Sequence, residues 1–327
     1  MGDASLPAPS FEGMTWRAPR RSDAPAIVSL HSACFEVDDT YRTVESEVLE
    51  RWDSPSMDPS VDAVVGFNGD GMLVASIWSI VPDTAESLWR AFGYENRIHP
   101  SLRSDEMRDI ALRWWEKRSR QRLEATGDDL PKALQQFLYV QQQDDIDFLY
   151  SRGYEVVRYY HELGRDLSVP LNAHPPPEGI EVRTLDTCRG DARDVHNASF
   201  RDHWGSQPIS AEAWNHGFNE FHMPEASFVA YDDGDAIAYV MSEVYPHDFE
   251  DRGWRHAWVE GVGTVWSHRK RGLASALITK AMEAMVAAGM EYAILGVDAE
   301  NPTGAYGLYE GLGFSEMRRE LLLQKTL

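Results

Sequence analysis

One stretch of the chain combines a strand pattern, a short glycine-bearing turn and a helix pattern without a break. The apolar segment from Val259 to Val265 leads to the turn Arg269-Lys-Arg-Gly272-Leu-Ala274, and a helical pattern runs from Ser275 to Ala288. That order gathers backbone N–H groups without acceptors and the positive end of a helix dipole at one point. Such a point can bind a pyrophosphate, so we expect a cofactor here. A plain strand-to-helix loop is the other interpretation of the turn alone.

A second motif begins about 30 residues further on. It reads Asn301-Pro-Thr-Gly-Ala305-Tyr-Gly-Leu308-Tyr309-Glu-Gly-Leu-Gly313-Phe314 and follows an apolar, strand-like run from Tyr292 to Val297. The two motifs, in this order and with a strand between them, resemble the signatures of the GNAT superfamily of acyl-CoA-dependent N-acyltransferases, R/Q-x-x-G-x-G/A and N-x-x-x-A-x-x-L-Y-x-x-x-G-F. The resemblance covers residues 180–327.

Composition limits the alternatives. The chain has 327 residues, enough for two domains, and two cysteines, which provide neither a disulfide framework nor metal-ligand spacing. We therefore expect no metal. The start has no signal-peptide pattern and no apolar run would span a bilayer, which predicts a cytoplasmic protein without a membrane partner. A net charge of −22 argues against nucleic acid. The acidity favours a cationic amine substrate or, more simply, a well-solvated surface.

The chain divides at a proline-rich segment, residues 168–179, where continuous helix or central strand is disfavoured. We place the boundary near residue 174, giving domains 1–173 and 174–327. Similar elements recur on both sides at offsets of about 159 to 166 residues, as in Trp16 with Val182 and Tyr150 with Tyr309. The recurrence predicts two copies of one fold. A tandem arrangement of this kind resembles mycothiol synthase-like members of the superfamily.

The N-terminal copy has a degenerate cofactor turn. Arg103 matches the first position of the R/Q-x-x-G-x-G/A signature. Glu106 and Arg108, however, occupy the two positions where that signature has small residues. A side chain there would occupy the space in which backbone approaches phosphate, and Glu106 would add a like charge. We therefore predict that only the C-terminal copy binds CoA. The amphipathic pattern from Ile110 to Lys117 still predicts a helix, so the fold can persist without the ligand.

The predicted fold class is α/β, in the α+β sense, with two tandem GNAT folds. Each is a mixed, mainly antiparallel sheet flanked by helices. In the C-terminal copy the pattern predicts a strand at 180–185, helices at 190–201 and 210–219, a hairpin at 227–245 and a polar loop at 246–254. A strand at 256–265, a helix at 272–288, a strand at 292–298, a helix at 303–311 and a strand at 314–324 follow.

The resemblance implies an opening between two splayed strands in which acetyl-CoA, the expected co-substrate, lies like an added strand. Gly261 and Gly263 are unfavourable within a strand, and a closely approaching ligand, or a bulge without a ligand, would explain them. The cofactor-binding residues that the resemblance implies are the strand residues Val262, Gly263 and Thr264, the turn and helix residues Arg269, Lys270, Arg271, Gly272, Leu273, Ala274 and Ser275, and Asn301, Ala305 and Tyr309 of the second motif.

Two residues are candidates for catalysis. By resemblance, Tyr309 lies near the CoA sulfur and protonates the departing thiolate; packing under the helix is the alternative. Glu260 is the candidate base, because period-two alternation puts it on the face of Val262 and Thr264. Several relatives place their glutamate two residues earlier, where this chain has Trp258, so Glu260 could act through a water or only orient the amine. His203, His256 and Glu243 are weaker candidates for the base.

The loop after the first C-terminal helix is the candidate acceptor cover. His203 and Trp204 would meet the substrate there, although Trp204 could simply cap the core. Neither cysteine has an acyl-enzyme context, so we expect direct transfer to a primary amine of a small molecule in a ternary complex. The alternatives are a protein or antibiotic N-acetyltransferase and a non-catalytic acyl-CoA-binding protein. The expected assembly is a monomer or homodimer.

Overall fold

The structure, a computed structural model, describes residues 6–54, 56–93, 96–201, 203–204, 206–300 and 304–327. The chain forms two compact units, residues 1–157 together with 321–327, and residues 158–320. The proline-rich segment 168–179 therefore lies inside the second unit. No helix among the described residues is long and apolar enough to cross a bilayer.

The first unit contains the elements up to residue 157. Its helices are α1 (Ala24–Asp38), α2 (Glu45–Trp52), α3 (Pro59–Asp62), α4 (Asp105–Ala125) and α5 (Gln143–Ser151). Its strands are β1 (Thr15–Arg17), β2 (Ala63–Phe67), β3 (Leu73–Trp78), β4 (Trp89–Phe92), β5 (Arg97–Ile98) and β6 (Lys132–Tyr139). A further strand, β7 (Glu155–Asp166), begins in this unit and continues into the second.

Strands β1, β2, β3 and β5 form an antiparallel sheet, while β4 pairs with β6 in parallel. Helix α4 packs its apolar face against this unit's core with the large side chains Trp114, Trp115 and Leu123. The predicted helix at Ile110–Lys117 lies within α4 and is confirmed.

The second unit contains the remaining helices, α6 (Arg189–Ser199), α7 (Ala211–His216), α8 (Phe249–Arg252), α9 (Leu273–Ala287) and α10 (Ala305–Gly311). Its strands are β8 (Glu181–Thr184), β9 (Phe228–Asp232), β10 (Asp235–Glu243), β11 (His256–Thr264), β12 (Tyr292–Asp298) and β13 (Ser315–Thr326), the last of which ends in the first unit. These bounds confirm the predicted order of strands and helices. The predicted polar loop at 246–254 contains the one-turn helix α8. This helix ends at Gly253, whose φ of 75° lies in the left-handed region that favours glycine.

The sheet of the second unit has the order β7-β12-β11-β10-β9-β8. Its pairs are antiparallel except for β11 with β12, which are parallel. Alternate strand residues point to opposite faces, and each face has its own apolar cluster. One cluster contains residues of β10, β11 and β12 with helix α9, and the other joins α6 and α7 to Val229, Tyr231 and Tyr239. The mixed, mainly antiparallel architecture is the predicted fold class.

Helix α9 is fixed to the sheet by an apolar stripe. Leu277, Ile278, Met282 and Met285 are each at most 1% exposed. Burying a side chain of this size contributes about 1.5–3 kcal/mol relative to leaving it in water. The stripe therefore holds the helix, and with it the position of its N-terminus, firmly against the sheet.

Candidate active site

The sheet of the second unit opens between β11 and β12. Their parallel pairing is limited to three residue pairs, from His256 with Tyr292 to Trp258 with Ile294. Beyond that point β11 stays paired with β10 as far as Thr264, and β12 stays paired with β7 as far as Asp298. The two strands therefore separate, and one backbone edge of each lacks a described ladder partner. This is the splayed opening that the resemblance implies.

Val262, Gly263 and Thr264 lie on the β11 side of this opening, and Tyr239 lies behind them. A methyl group added to Gly261 would be 2.7 Å from the Tyr239 hydroxyl oxygen, and one added to Gly263 would be 2.6 Å from a ring carbon of Tyr239. Both distances are too short for real contacts. The packing of Tyr239 therefore requires both glycines, a reason that the sequence analysis did not foresee.

The turn before α9 has an unusual backbone. Lys270 has a φ of 62° and Gly272 a φ of 81°, both left-handed. Gly272 is the N-cap residue of α9 and offers no side-chain acceptor to the helix. Ala276 donates its N–H to the Gly272 carbonyl over 3.0 Å. The N–H groups of Leu273, Ala274 and Ser275 lie in the first turn of the helix. N–H groups at this position have no acceptor within the helix.

The space around this turn is open. A methyl group added to Gly272 would meet no atom within 4 Å. An anion can therefore approach the first-turn N–H groups at the positive end of the α9 dipole. These features fit the pyrophosphate of a CoA molecule.

The arginines of the turn are engaged within the protein. Arg269 donates from Nε to the Thr264 carbonyl over 3.2 Å and from Nη2 to the Ser199 carbonyl over 2.6 Å. Arg271 donates to Asp232 over 2.8 Å. Arg269 thus braces the turn against the ends of β11 and α6, and the groups left for a phosphate are mainly backbone N–H groups.

Glu260 occupies a β-bulge. The register between β10 and β11 shifts there, because Met241 pairs with Gly261 while Ser242 pairs with Val259. The burial of β11 nevertheless alternates from Val259 to Thr264, with Glu260, Val262 and Thr264 on the more exposed side of the strand, as the sequence pattern predicts. Bulges of this type re-aim side chains and are common next to active sites.

The environment of Glu260 changes its acidity. Desolvation by the surrounding protein, followed by the nearby Glu243 carboxylate, raises the pKa of Glu260 to about 8. The residue is nevertheless exposed to solvent. Its side chain therefore contacts water while the surrounding protein removes part of the hydration of the carboxylate.

Glu243 lies at the end of β10, opposite Trp258 in the neighbouring strand. It is buried and accepts a hydrogen bond from the Tyr245 hydroxyl. Two carboxyl groups that interact disfavour simultaneous ionisation, which is why Glu243 contributes to the shift of Glu260. From the sequence alone Glu243 is a weak candidate for the base, and the pairing of β10 with β11 explains how it affects Glu260.

Tyr309 lies on α10 and is half-buried against the core beside α9. Its ring contacts Phe314 edge-on at 6.1 Å. Burial raises the pKa of Tyr309 to about 12, so its hydroxyl keeps its proton at neutral pH. Burial, and to a smaller extent Tyr309, also raises the pKa of Tyr239. The two tyrosines are therefore neighbours, and the Tyr239 hydroxyl lies 2.7 Å from Nδ1 of His196.

The candidate acceptor loop lies next to the end of β12. The guanidinium of Arg158 stacks over the Trp204 ring at 4.3 Å, and Arg158 also contacts Asp298 at 3.6 Å and Glu300 at 2.9 Å. His203 lies beside the Phe200 ring at 5.5 Å. These contacts tie Trp204 to the strand that borders the opening.

Three other residues named from the sequence have different surroundings. Ala305 begins α10 and packs against the core, while Asn301 lies outside the described residues. His256 is fully buried between the rings of Phe249 and Trp254, and burial lowers its pKa to about 4. A neutral, enclosed imidazole is a packing residue. The described residues contain no cluster of metal-ligating side chains.

Comparison with known proteins agrees with this geometry. Residues 190–314 match the model of the acetyltransferase (GNAT) family. A curated relative, the N-alpha-acetyltransferase MAK3 of Arabidopsis thaliana, is 30% identical over 114 residues, which are 35% of this chain and 56% of the relative. The chain thus spans little more than half the length of that relative.

Two solved structures are similar in fold over nearly the whole chain. One is a GCN5-related N-acetyltransferase from Sphaerobacter thermophilus, with a TM-score of 0.73 and 24% identity, covering 97% of this chain and 96% of the other. The second is a tandem GNAT protein from the clavulanic acid biosynthesis pathway, with a TM-score of 0.68 and 14% identity, covering 96% and 98%. The narrower resemblance to mycothiol synthase-like proteins stays a prediction. Residues 190–314 are thus similar to the acetyltransferase domain of the GNAT family, whose members use acetyl-CoA as co-substrate.

Proposed function

We propose that this protein is an acetyl-CoA-dependent N-acetyltransferase that acetylates a primary amine of a small molecule by direct attack in a ternary complex. The observation that carries the proposal is the combination, in one unit, of three features. These are the uncapped N-terminus of α9, the separation of β11 from β12, and the bulge that carries Glu260.

The residues that would hold the co-substrate follow from this arrangement. The first-turn N–H groups at Leu273, Ala274 and Ser275 suit the pyrophosphate, and the free edge of β11 at Val262 to Thr264 suits the pantetheine amides. Bound acetyl-CoA would supply an activated acyl thioester. In the first unit the corresponding turn is degenerate, so we propose one such site in each chain.

Glu260 has the properties of a general base. An attacking amine must lose a proton, and a base works best when its pKa lies near the operating pH. A carboxyl group with a pKa of about 8 meets that requirement much better than an ordinary glutamate. The negative charge of Glu243, which contributes to the shift of Glu260, would also attract the protonated amine before it reacts.

Tyr309 suits the leaving side of the reaction. An ordinary thiol has a pKa of about 8.5, about 3 to 4 units below the pKa of Tyr309, which is about 12. Full proton transfer from the phenol to a free thiolate is therefore unfavourable by about 5 kcal/mol. We propose that the Tyr309 hydroxyl donates a hydrogen bond to the developing thiolate, and that the proton released by the amine completes the thiol.

Direct transfer agrees with the positions of the two cysteines. Cys34 is buried in the first unit, and burial raises the pKa of its thiol, which makes it a poor nucleophile. Cys188 lies at the N-cap of α6, where its thiol contacts the Thr184 carbonyl at 3.5 Å. Cys34 therefore does not suit an acyl-enzyme intermediate, and Cys188 is engaged with a backbone carbonyl.

A second candidate is acetylation of a protein N-terminal amine. The observation that favours it is the match to an N-alpha-acetyltransferase, which extends over 114 residues. The two candidates share the chemistry and differ in the size of the acceptor.

The decisive experiment measures CoA release from acetyl-CoA with a panel of small amines and a panel of short peptides with free N-termini. Intact-mass analysis of each product must show the gain of one acetyl group. Turnover of small amines with little activity on peptides supports the proposal, and the reverse preference supports the second candidate. Tight CoA binding without turnover on either panel would contradict both and favour a binding protein.

A further inference from the structure

The segment between β11 and the cofactor turn exposes a tryptophan. Trp266 begins a short 3₁₀ helix (Trp266–His268) that buries none of its residues. Trp266 is 74% exposed, more than any other large hydrophobic residue in the part of the chain that the structure describes. A single exposed apolar residue is ordinary on a protein surface. The neighbours of Trp266 therefore decide what its indole can bind.

The backbone around Trp266 is held to the cofactor turn. The Trp266 carbonyl accepts the N–H of Arg269 over 3.3 Å. Nε2 of His268 lies 3.6 Å from Asp232, and the same carboxylate pairs with Arg271 at 2.8 Å. The indole therefore projects from a backbone whose position relative to the turn is fixed.

This position suits one part of the co-substrate. Three residue steps separate Trp266 from Arg269, so their Cα atoms lie at most about 11 Å apart. The hydrogen bond between their main chains brings them closer. In CoA a single ribose joins the adenine ring to the pyrophosphate. A pyrophosphate at the first turn of α9 therefore brings the adenine within reach of the residues around that turn.

Lys270 adds a positive charge to the same surface. Arg269 and Arg271 are engaged with backbone carbonyls and with Asp232, whereas Lys270 is exposed to solvent. The ribose of CoA carries a 3′-phosphate next to the adenine, and an ammonium group binds a phosphate through charge-assisted hydrogen bonds. An indole near an exposed lysine thus matches an adenine next to a phosphate.

The first unit has neither side chain at the corresponding positions. In the predicted repeat, an offset of 166 residues pairs Pro100 with Trp266. The same offset pairs Ser104, the cap of α4, with Lys270. The aromatic ring and the lysine therefore occur in the copy with the uncapped helix, where we propose the CoA site, and not in the other copy.

We propose that Trp266 stacks on the adenine ring of acetyl-CoA and that Lys270 binds the 3′-phosphate. Both contacts rest on the proposed acetyl-CoA site at α9. Aromatic side chains stack on bases through their faces, and removal of such a side chain typically weakens binding by about 5- to 150-fold. The two residues would select a donor that carries the complete nucleotide over one that ends at phosphopantetheine.

Calorimetry on the full-length protein tests the proposal with three ligands, acetyl-CoA, acetyl-3′-dephospho-CoA and acetyl-4′-phosphopantetheine. We expect the parent protein to bind acetyl-CoA at least tenfold more tightly than acetyl-4′-phosphopantetheine. Trp266→Ala should weaken acetyl-CoA binding by about tenfold and leave acetyl-4′-phosphopantetheine binding unchanged. Lys270→Gln should remove the preference for acetyl-CoA over acetyl-3′-dephospho-CoA.

Matched variants control for aromatic surface and for charge. Tyr150→Ala removes an aromatic side chain that is 47% exposed in the first unit, and Lys117→Gln removes an exposed lysine on α4. Both should bind all three ligands like the parent protein. Trp266→Phe retains an aromatic face and should keep most of the acetyl-CoA affinity, whereas Trp266→Leu, which is apolar without a π-face, should resemble Trp266→Ala.

Three outcomes would overturn the proposal. Equal weakening of acetyl-CoA and acetyl-4′-phosphopantetheine in Trp266→Ala would show that the indole supports the turn and does not contact adenine. Unchanged acetyl-CoA affinity in Trp266→Ala, with a dimer of the parent protein that dissociates in the variant, would assign the indole to a second copy of the chain. Unchanged affinity without such a dimer would also exclude adenine stacking.

The same titrations separate this proposal from the proposed function. A parent protein that binds acetyl-CoA with the expected ligand preferences but acetylates no amine would contradict the enzyme and support the adenine contact. A parent protein that binds no acetyl-CoA would contradict both.

Discussion

The N-termini of α4 and α9, which correspond in the repeat predicted from the sequence, differ in one chemical respect. Ser104 gives α4 a side-chain acceptor for its own N–H groups, whereas Gly272 gives α9 none. In the first unit the arginines after the strand pair with Asp38 and Asp145, while the space at Gly272 is open. The difference indicates why we propose an anion site at α9: a helix terminus without a side-chain cap offers more N–H groups to an anion than one with a cap.

The largest expected effect comes from making the second turn resemble the first. Gly272→Glu places a carboxylate, like that of Glu106, where the pyrophosphate is expected, and it also strains a left-handed residue. Calorimetry with acetyl-CoA should show one site in the parent protein and none in the variant. Gly253→Glu, at an open glycine with a φ of 75°, controls for charge and strain. Two equivalent sites in the parent protein would break the comparison between the units.

Glu260→Gln tests whether the chemistry belongs to the second unit. Loss of a general base should lower kcat/KM by about 100- to 10,000-fold. In the parent enzyme activity should rise with pH through an apparent pKa near 8, because the carboxylate is the active form. In the variant, the pH at which activity rises should move toward the pKa of the free amine.

The same shift predicts a pH dependence of stability. The folded state holds the Glu260 proton more tightly than the unfolded chain, so this group's stabilising contribution is present below pH 4.5 and is lost as the pH rises toward 8. The melting temperature of Glu260→Gln minus that of the parent protein should therefore be larger at pH 9 than at pH 4. The same difference at both pH values would argue against a raised pKa.

Tyr309→Phe and Tyr150→Phe form a matched pair, since the two tyrosines correspond in the repeat. Removing the Tyr309 hydroxyl should lower kcat by about 10- to 1000-fold with acetyl-CoA affinity nearly unchanged. Tyr150 is 47% exposed in the first unit, and its variant should behave like the parent enzyme. Equal activity of both variants would leave Tyr309 with a packing role only.

Gly263→Ala separates two reasons for glycine in the second unit. The added methyl group would lie 2.6 Å from the Tyr239 ring, so overpacking should destabilise the unit by about 1–3 kcal/mol. Denaturant unfolding measures the change. A variant as stable as the parent but unable to bind acetyl-CoA would instead support a glycine kept for the ligand.

Cys34→Ala and Cys188→Ala should have the smallest effect. Direct transfer predicts unchanged kcat for both variants and intersecting initial-rate plots. Parallel plots, together with an acetyl adduct on either cysteine by mass spectrometry, would contradict the proposed mechanism.

Much of the second unit could be predicted from local patterns. The strand Tyr292–Asp298 and the helix Leu273–Ala287 have clear hydrophobic periods. Their bounds agree with those predicted from the sequence to within about two residues. The opening between β11 and β12 followed from the family resemblance. No local pattern in the sequence predicts where the parallel pairing of two strands ends.

The rest depends on contacts across strands. The bulge at Glu260 has no local signature in the sequence. Gly261 and Gly263 are explained by Tyr239, a residue more than twenty positions away in the sequence. The raised pKa of Glu260 likewise depends partly on Glu243, which only the pairing of β10 with β11 brings close.

The missing cap of α9 has a thermodynamic consequence. Relative to a glycine N-cap such as Gly272, a side-chain cap typically stabilises a helix by roughly a few tenths of a kcal/mol, and α9 lacks this contribution. An anion that binds the folded helix terminus, and not the unfolded chain, supplies stabilisation that grows with its concentration, about 2.7 kcal/mol at 100 times its Kd. The melting temperature of the second unit should therefore follow the cellular supply of acetyl-CoA, whereas α4 carries its cap at every metabolite concentration.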